Sequence, residues 1–198
     1  MDIAVLGGGH GCYAAAAELS EKGHSVRFWR RDAEALQPVI DSGSITVLDF
    51  KGEREVEVAR PTAALSEAVD GASLVVIPLP ALAHESLARE LAPLLQDGQV
   101  VYLPPGTFGS FLFARALRDA GNAADVSFAE TGTLPYLARK HGPKQVVVSG
   151  YATRLPTGVL PARNTEHAFA VLREVYPVEH CKDALSGALM NAGPIIHP

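Results

Sequence analysis

The first 22 residues, MDIAVLGGGHGCYAAAAELSEK, constrain this chain more than any other stretch. Ile3, Val5 and Leu6 read as a short apolar strand of the kind buried inside a parallel sheet. Gly7-Gly8-Gly9-His10-Gly11 then turns the chain with almost no side chains in the way. Residues 13–22 follow as a helix, with Ala14, Ala15, Ala16 and Ala17 as strong helix formers and Leu19 facing inward. Strand, glycine turn and helix together open a βαβ unit of the kind that holds a dinucleotide. Gly7 permits the tight turn, and Gly9 lets the backbone approach a pyrophosphate. The helix N-terminus offers N–H groups and a partial positive charge to the phosphates. The third glycine position of G-x-G-x-x-G falls on Cys12, where a thiol is small enough for helix and strand to pack closely. Gly7, Gly9, His10, Gly11 and Cys12 are therefore the candidate cofactor contacts of the turn. His10 is expected to face solvent from a loop and not to act as a catalyst. Glycines also mark ordinary turns, and the place of these between a strand and a helix is what favours the dinucleotide.

Residues 25–29 (SVRFW) supply the second strand. In such a unit the residue just beyond it meets the adenine ribose, and an acid there accepts from the 2′-hydroxyl of NAD. This chain has Arg30 and Arg31 instead, with Asp32 one step later. Two guanidiniums suit a 2′-phosphate, so NADP is the expected cofactor and NAD the alternative. The competing reading is a solvated basic turn in which Asp32 caps a helix over residues 33–40.

The rest of the chain alternates strand and helix. Residues 44–50 and 53–58 alternate apolar and polar around Lys51-Gly52, which predicts a β-hairpin antiparallel to the main sheet or beside it. A short helix is expected over 62–69 and an apolar strand over 74–77. That strand closes on Pro78-Leu79-Pro80, so Pro78 and Leu79 should face the cofactor crevice at its carboxyl end. Helices over 81–95 and 110–120 bracket a strand over 99–103 that ends in Pro104-Pro105-Gly106-Thr107. A strand over 126–129 runs into the polar segment Glu130-Thr131-Gly132-Thr133-Leu134-Pro135-Tyr136, a loop suited to substrate contacts. There Thr133 is the candidate hydrogen-bond donor to a substrate, with Arg139 one helical turn beyond Pro135 adding positive charge. Strands over 145–149 and 158–161 and helices over 166–175 and 184–191 complete the reading. The pattern implies a doubly wound α/β fold, with a mostly parallel sheet covered on both faces.

With 47% hydrophobic and 20% charged residues, the 198-residue chain has material for a sizeable core. A net charge of −5 argues against nucleic acid or a membrane surface as partner, since either calls for a basic face. No apolar run reaches the roughly 18 residues of a membrane span. The N-terminus reads as a core strand and not as a removable leader, and Cys12 and Cys181 read as reduced thiols, so a cytoplasmic location is expected. No metal site is read from the sequence.

Four segments taken together resemble the N-terminal domain of the octopine/nopaline (opine) dehydrogenase family: VLGGGHGCYAAAAELSEKGHSV, PPGTFGS, ETGTLPYLAR and the closing NAGPIIHP. The resemblance implies a Rossmann-like NAD(P)-binding domain over 1–182. Residues 183–198 would begin the connection to a helical substrate domain absent from this chain. It implies reductive condensation of a 2-oxo acid such as pyruvate with an amino acid, at the expense of NAD(P)H. His197 matches the family's catalytic histidine, whose pKa near working pH suits proton exchange with an amine or carbonyl oxygen. Its Asp partner would come from the helical domain, so the chain by itself is expected to bind cofactor and turn over nothing. Oligomeric state stays open, with a homodimer expected if the exposed domain face finds a partner.

Two rival enzymes share such a cofactor domain. Glycerol-3-phosphate dehydrogenases carry a catalytic lysine in a segment like Gly187-Ala188-Leu189-Met190-Asn191, where this chain has Met190 and no ammonium. Ketopantoate reductases rely on a lysine in a motif not evident here. A third alternative is a non-catalytic module that only binds NAD(P).

Overall fold

The computed structural model describes residues 1–190, and an eight-stranded sheet is its centre. The first half of the chain gives β1 (Asp2–Leu6), α1 (His10–Glu21), β2 (Ser25–Trp29), α2 (Ala33–Ser42), β3 (Ser44–Asp49), β4 (Gly52–Glu57), β5 (Arg60–Thr62), α3 (Leu65–Val69), β6 (Leu74–Val76) and α4 (Ala81–Leu91). The second half gives β7 (Val100–Leu103), α5 (Gly109–Asp119), β8 (Ser127–Thr131), β9 (Tyr136–His141), β10 (Gln145–Tyr151), β11 (Leu155–Leu160), α6 (Thr165–Leu172), β12 (Val178–His180) and α7 (Ala184–Leu189). The main sheet runs β12-β11-β8-β7-β6-β1-β2-β5 and is parallel throughout except where β11 meets β8. Strand side chains alternate between the two faces. Ile3 and Val5 of β1 thus enter the cluster with Tyr13, Phe28 and Tyr102, while Ala4 and Leu6 enter the one with Val75, Leu87 and Phe113. Burial on both faces is why β1 has no polar alternation after Asp2.

A second, four-stranded sheet runs β4-β3-β10-β9. The expected hairpin is its β3–β4 half, lying beside the main sheet. Helix α1 is packed between the two sheets, touching β9, β10, β3 and β4 as well as β1 and β2. Its residues 11–17 and Leu19 are all buried, as befits a middle stretch that is apolar on every side, while His10, Glu18 and Glu21 keep polar groups toward the small sheet. The alanines keep it thin enough for both sheets to approach.

Several boundaries differ from expectation. Helix α1 begins at His10 with Gly9 as N-cap, so His10, Gly11 and Cys12 form its first turn and not a loop before it. Residues 60–62 pair with β2 as an edge strand, which shortens the following helix to α3. Helix α4 gives way to a 3-10 turn at Ala92–Leu94, where Pro93 disfavours a continued α-helix. Glu130 and Thr131 belong to β8 and are wholly buried, so the loop begins only after them. Residues 136–141 are strand β9, antiparallel to β10, and not a helical turn. Strand β12 at Val178–His180 was not expected at all. Helix α7 packs on β11 and β8, with Gly187 so close to the Gly158 backbone that a side chain there would collide.

Candidate functional site

Going from β1 to β2 and β5 the chain moves toward one edge, and from β6 to β7 and β8 it moves toward the other. The order therefore reverses between β1 and β6, and open α/β sheets bind ligands in the crevice at the carboxyl ends of strands at such a switch point. The residues there are Gly7 to Gly11 after β1, and Pro78 and Leu79 after β6.

Each glycine of the turn has its own role. Gly7 sits at φ +123, and a Cβ there would collide with Leu79 and lie 2.8 Å from the Cys12 sulfur. Gly11 packs against the other side, where a Cβ would lie 2.7 Å from Leu134 and 3.3 Å from Pro78. At Gly8 the added carbon would lie 2.6 Å from Nε of Arg30, whose side chain covers that peptide. Gly9 alone of the four has nothing within 4 Å of an added Cβ, so the space above the first turn of α1 is open. Helix N-termini leave N–H groups without intrahelical partners, and an anion can approach them through that opening. Cys12 is wholly buried, with its sulfur 3.7 Å from the Leu6 carbonyl oxygen and 3.5 Å from that of Pro78. Burial pushes its thiol up to about 12, so it is a neutral donor tying α1 to both strand ends.

His10 is exposed, and its Nδ1 accepts a 2.8 Å hydrogen bond from the Lys140 backbone N–H. The Lys140 ammonium lies 4.3 Å from the centre of the Tyr13 ring, which places a cation beside the first turn of α1. No local signal singled out Lys140, because β9 reaches α1 only through its pairing with β10.

The two arginines after β2 differ in environment. Arg30 has a side chain only 20% exposed, and its Nη1 donates to Tyr13 Oη at 3.3 Å and to the Ala35 carbonyl at 3.1 Å. Arg31 is 58% exposed and extends to α4, where its Nη2 lies 2.8 Å from Glu90 Oε1. Asp32 caps α2, accepting from the Ala35 N–H at 3.0 Å, so the helix-cap reading of this turn holds beside whatever the arginines bind. A cavity of about 280 Å³ opens beside this turn, lined on the strand side by Gly7, Gly8, Trp29, Arg30, Arg31 and Asp32 and on the other by Leu79, Ala83 and Leu87.

Farther along the crevice, the PPGTFGS and ETGTLPY segments meet. Ser110 Oγ donates to Glu130 Oε1 at 2.8 Å, and a Cβ on Gly106 would collide with the Glu130 carboxylate. Thr107 and Phe108 take left-handed conformations to wrap the turn around that carboxyl group. Burial raises the Glu130 pKa, while Ser110 and the backbone N–H groups of Phe108 and Gly109 oppose the rise. Thr133 is exposed in the turn after β8. Arg139 is exposed on β9, and four strand residues carry it about 13 Å beyond Pro135, roughly twice the reach of a helical turn. Thr133 and Arg139 are therefore not brought together as a helix would bring them. His197 lies outside the described residues. Met190, the last described residue, follows α7 with its thioether 3.7 Å from the Cys181 sulfur.

A switch-point crevice, an open helix N-terminus and an adjoining cavity are the features of a Rossmann-like dinucleotide-binding domain. The chain belongs to the family described as the NAD-dependent glycerol-3-phosphate dehydrogenase N-terminus, whose model matches residues 2–112. Over nearly its full length it is also opine dehydrogenase-like. It is 32% identical to an opine dehydrogenase from Arthrobacter sp. (strain 1C), across 98% of this chain and 55% of that protein. A glycerol-3-phosphate dehydrogenase [NAD(P)+] from Nitratidesulfovibrio vulgaris (strain DP4) is also 32% identical, across 96% of this chain and 58% of that protein. Among solved structures, an octopine dehydrogenase in complex with NADH and agmatine superposes with a TM-score of 0.75 at 26% identity, covering 96% of this chain and 50% of that one. The chain thus spans about half the length of the relatives it matches. No helix among the described residues is long and apolar enough to cross a membrane.

Proposed function

We propose that this chain is the cofactor-binding half of an NAD(P)-dependent oxidoreductase of opine dehydrogenase type, condensing a 2-oxo acid with an amino acid. The observation that carries the reading is the first turn of α1, open above Gly9 while Gly7 and Gly11 are packed tight beneath it. A dinucleotide pyrophosphate fits that opening: Gly9, His10 and Gly11 would hold it, with the Lys140 ammonium nearby. The adenosine would occupy the cavity lined by Leu79, Ala83 and Leu87, with Arg30 and Arg31 favouring NADP over NAD. When bound, the cofactor supplies the hydride. The chain's own residues orient it, exclude water beneath Leu79 and Leu134, and hold polar groups at the strand ends. Thr133 is the proposed donor to a substrate carboxylate or carbonyl, and Arg139 adds positive charge at longer range. The reading pairs this domain with a helical substrate domain and a cytoplasmic setting.

What favours opine chemistry over glycerol-3-phosphate chemistry is position 190, where a thioether stands in place of the ammonium that the latter family carries. His197 is the proposed acid–base, exchanging a proton with the amine or the carbonyl oxygen. The test joins a titration of this chain with NADPH and NADH to a turnover assay on the full gene product. Oxidation of NADPH that requires both pyruvate and an amino acid supports the reading. Oxidation with dihydroxyacetone phosphate alone assigns the rival chemistry, and binding without turnover in either assay assigns a binding module. In an active full-length protein, His197→Asn should lower turnover by about 10²–10⁴-fold with cofactor affinity unchanged.

A further inference from the structure

The rim of the cavity between β2 and α4 carries a charge pair that the βαβ pattern does not call for. On α4, Ala83 and Leu87 lie four residues apart on the face that lines the cavity. Ser86 and Glu90, also four apart, form the neighbouring row, and both meet Arg31. Its Nη2 lies 2.8 Å from Glu90 Oε1 and 3.5 Å from Ser86 Oγ. The pair therefore bridges from the turn after β2 to α4, across the mouth of the slot. Arg30 is held differently: its guanidinium bonds to Tyr13 and Ala35 and lies 3.8 Å from the Asp32 carboxylate. Of the two, Arg31 is the cation free to exchange partners.

The Arg31–Glu90 pair is half-exposed, with side-chain exposures of 58% and 48%, so solvent screens it and little free energy is lost when it opens. A phosphate offers more charge and more acceptor oxygens to the same guanidinium. We propose that Glu90 is a specificity-determining residue: it holds Arg31 across the adenosine slot, and the 2′-phosphate of NADP must displace it to bind. Ser86 then presents its hydroxyl to the same phosphate. A ribose with a free 2′-hydroxyl does not compete for the guanidinium, so the pair weighs against NADP far more than against NAD. Charge on α4 thus moderates the NADP preference that the two arginines create. The inference rests on the reading of this cavity as the adenosine site.

The experiment titrates wild type, Glu90→Gln and Arg31→Ala with NADP+ and NAD+ at low salt and at 0.5 M salt. Glu90→Gln should bind NADP+ about fivefold more tightly at low salt, with NAD+ affinity within twofold of wild type. The gain should shrink at 0.5 M salt, where exposed charges are screened. Arg31→Ala should weaken NADP+ and leave NAD+ little changed, so that it narrows the discrimination that Arg30 still supports. Both substitutions are at exposed positions and should leave the melting temperature within about 2 °C. Unchanged NADP+ affinity in Glu90→Gln, or an equal change for both dinucleotides, overturns the role of Glu90 while the cofactor reading stands. Failure of wild type to bind either dinucleotide overturns both.

Discussion

Two glycines of one turn should respond to substitution in opposite ways. Gly9 has φ −82 and ψ 178, ordinary extended backbone, and no atom within 4 Å of where a Cβ would lie. The Cβ of Gly9→Val therefore meets no clash in the folded protein. Its cost is limited to about 1 kcal/mol, because valine is a poorer N-cap than glycine. The branched side chain would instead fill the space a pyrophosphate must enter. Losing one or two charge-assisted hydrogen bonds, at about 1.5–3 kcal/mol each, weakens binding by roughly a hundredfold. Gly7→Ala is the contrasting case. An L-residue at φ +123 is strained by about 1–2 kcal/mol, and the collision with Leu79 and Cys12 adds about 1–3 kcal/mol of overpacking. A total near 3 kcal/mol lowers the melting temperature of a domain this size by about 6–12 °C. Calorimetric titration with NADPH and thermal melts on the two variants separate these outcomes. Unaltered affinity in Gly9→Val would place the dinucleotide elsewhere, and an unfolded Gly9→Val would mean that the opening is not there.

Arg30→Asp should weaken NADP(H) by about 1.5–3 kcal/mol while leaving NAD(H) little changed, since the new carboxylate can accept from a 2′-hydroxyl. Parallel loss of both dinucleotides in a titration would mean that Arg30 serves only Tyr13 and Ala35. Thr133→Val in the full gene product should raise the Michaelis constant for the 2-oxo acid more than Arg139→Ala does, because Arg139 sits far along β9; steady-state kinetics with no change in either would return both to the scaffold. Hydrogen bonds from Ser44, Thr46 and Lys144 hold the Glu55 carboxyl down at about 2, and Arg54 holds Asp49 below the usual carboxylate range. Both folded values lie below the unfolded ones of about 4, so this stabilisation is present above pH 4 and is lost as pH falls below it, through about 2 for Glu55 and lower still for Asp49. Amide chemical shifts of Val47 and Val146 in the small sheet should therefore depart from native values before those of Val5 and Val75 in the large one, and simultaneous departure would refute the argument.

The first 30 residues were legible because their signals are local. A glycine run between an apolar strand and an alanine-rich helix marks the βαβ turn, and the alanines advertise close packing. Lys51-Gly52 marks the hairpin for the same reason, with Gly52 at φ +95 in its turn. Strand β9 was not legible. YLARKH suits helix or strand equally, and pairing with β10, which comes later in the chain, decides it. Glu130 and Thr131 misled in another way. Polar residues after an apolar run read as a loop, yet the Glu130 carboxyl is buried because the 107–110 turn, about 20 residues earlier, supplies its donors. The Arg31–Glu90 contact joins residues 59 positions apart and has no counterpart in local pattern.

The small sheet has a bearing on the site although it holds none of the cofactor contacts read from the sequence. A helix N-terminus can serve an anion only if the helix is fixed relative to the strand ends, and α1 is fixed from both sides. On the large-sheet side, the thiol of Cys12 links it to Leu6 and Pro78. On the other, Tyr136 donates to Glu18 at 2.7 Å, Lys51 and Arg54 bind Glu21, and the Lys140 N–H meets His10. These contacts fall along the length of α1, from its first residue at His10 to its last at Glu21. Tyr136, Lys140, Lys51 and Arg54 lie on β9 or the β3–β4 hairpin, so the small sheet acts as a brace on the helix whose free end forms the opening above Gly9. The alanines of α1 make this possible, since a larger side chain at 14–17 would push one sheet or the other away. Affinity for the dinucleotide is then a property of both sheets, although only one carries the nucleotide-binding pattern.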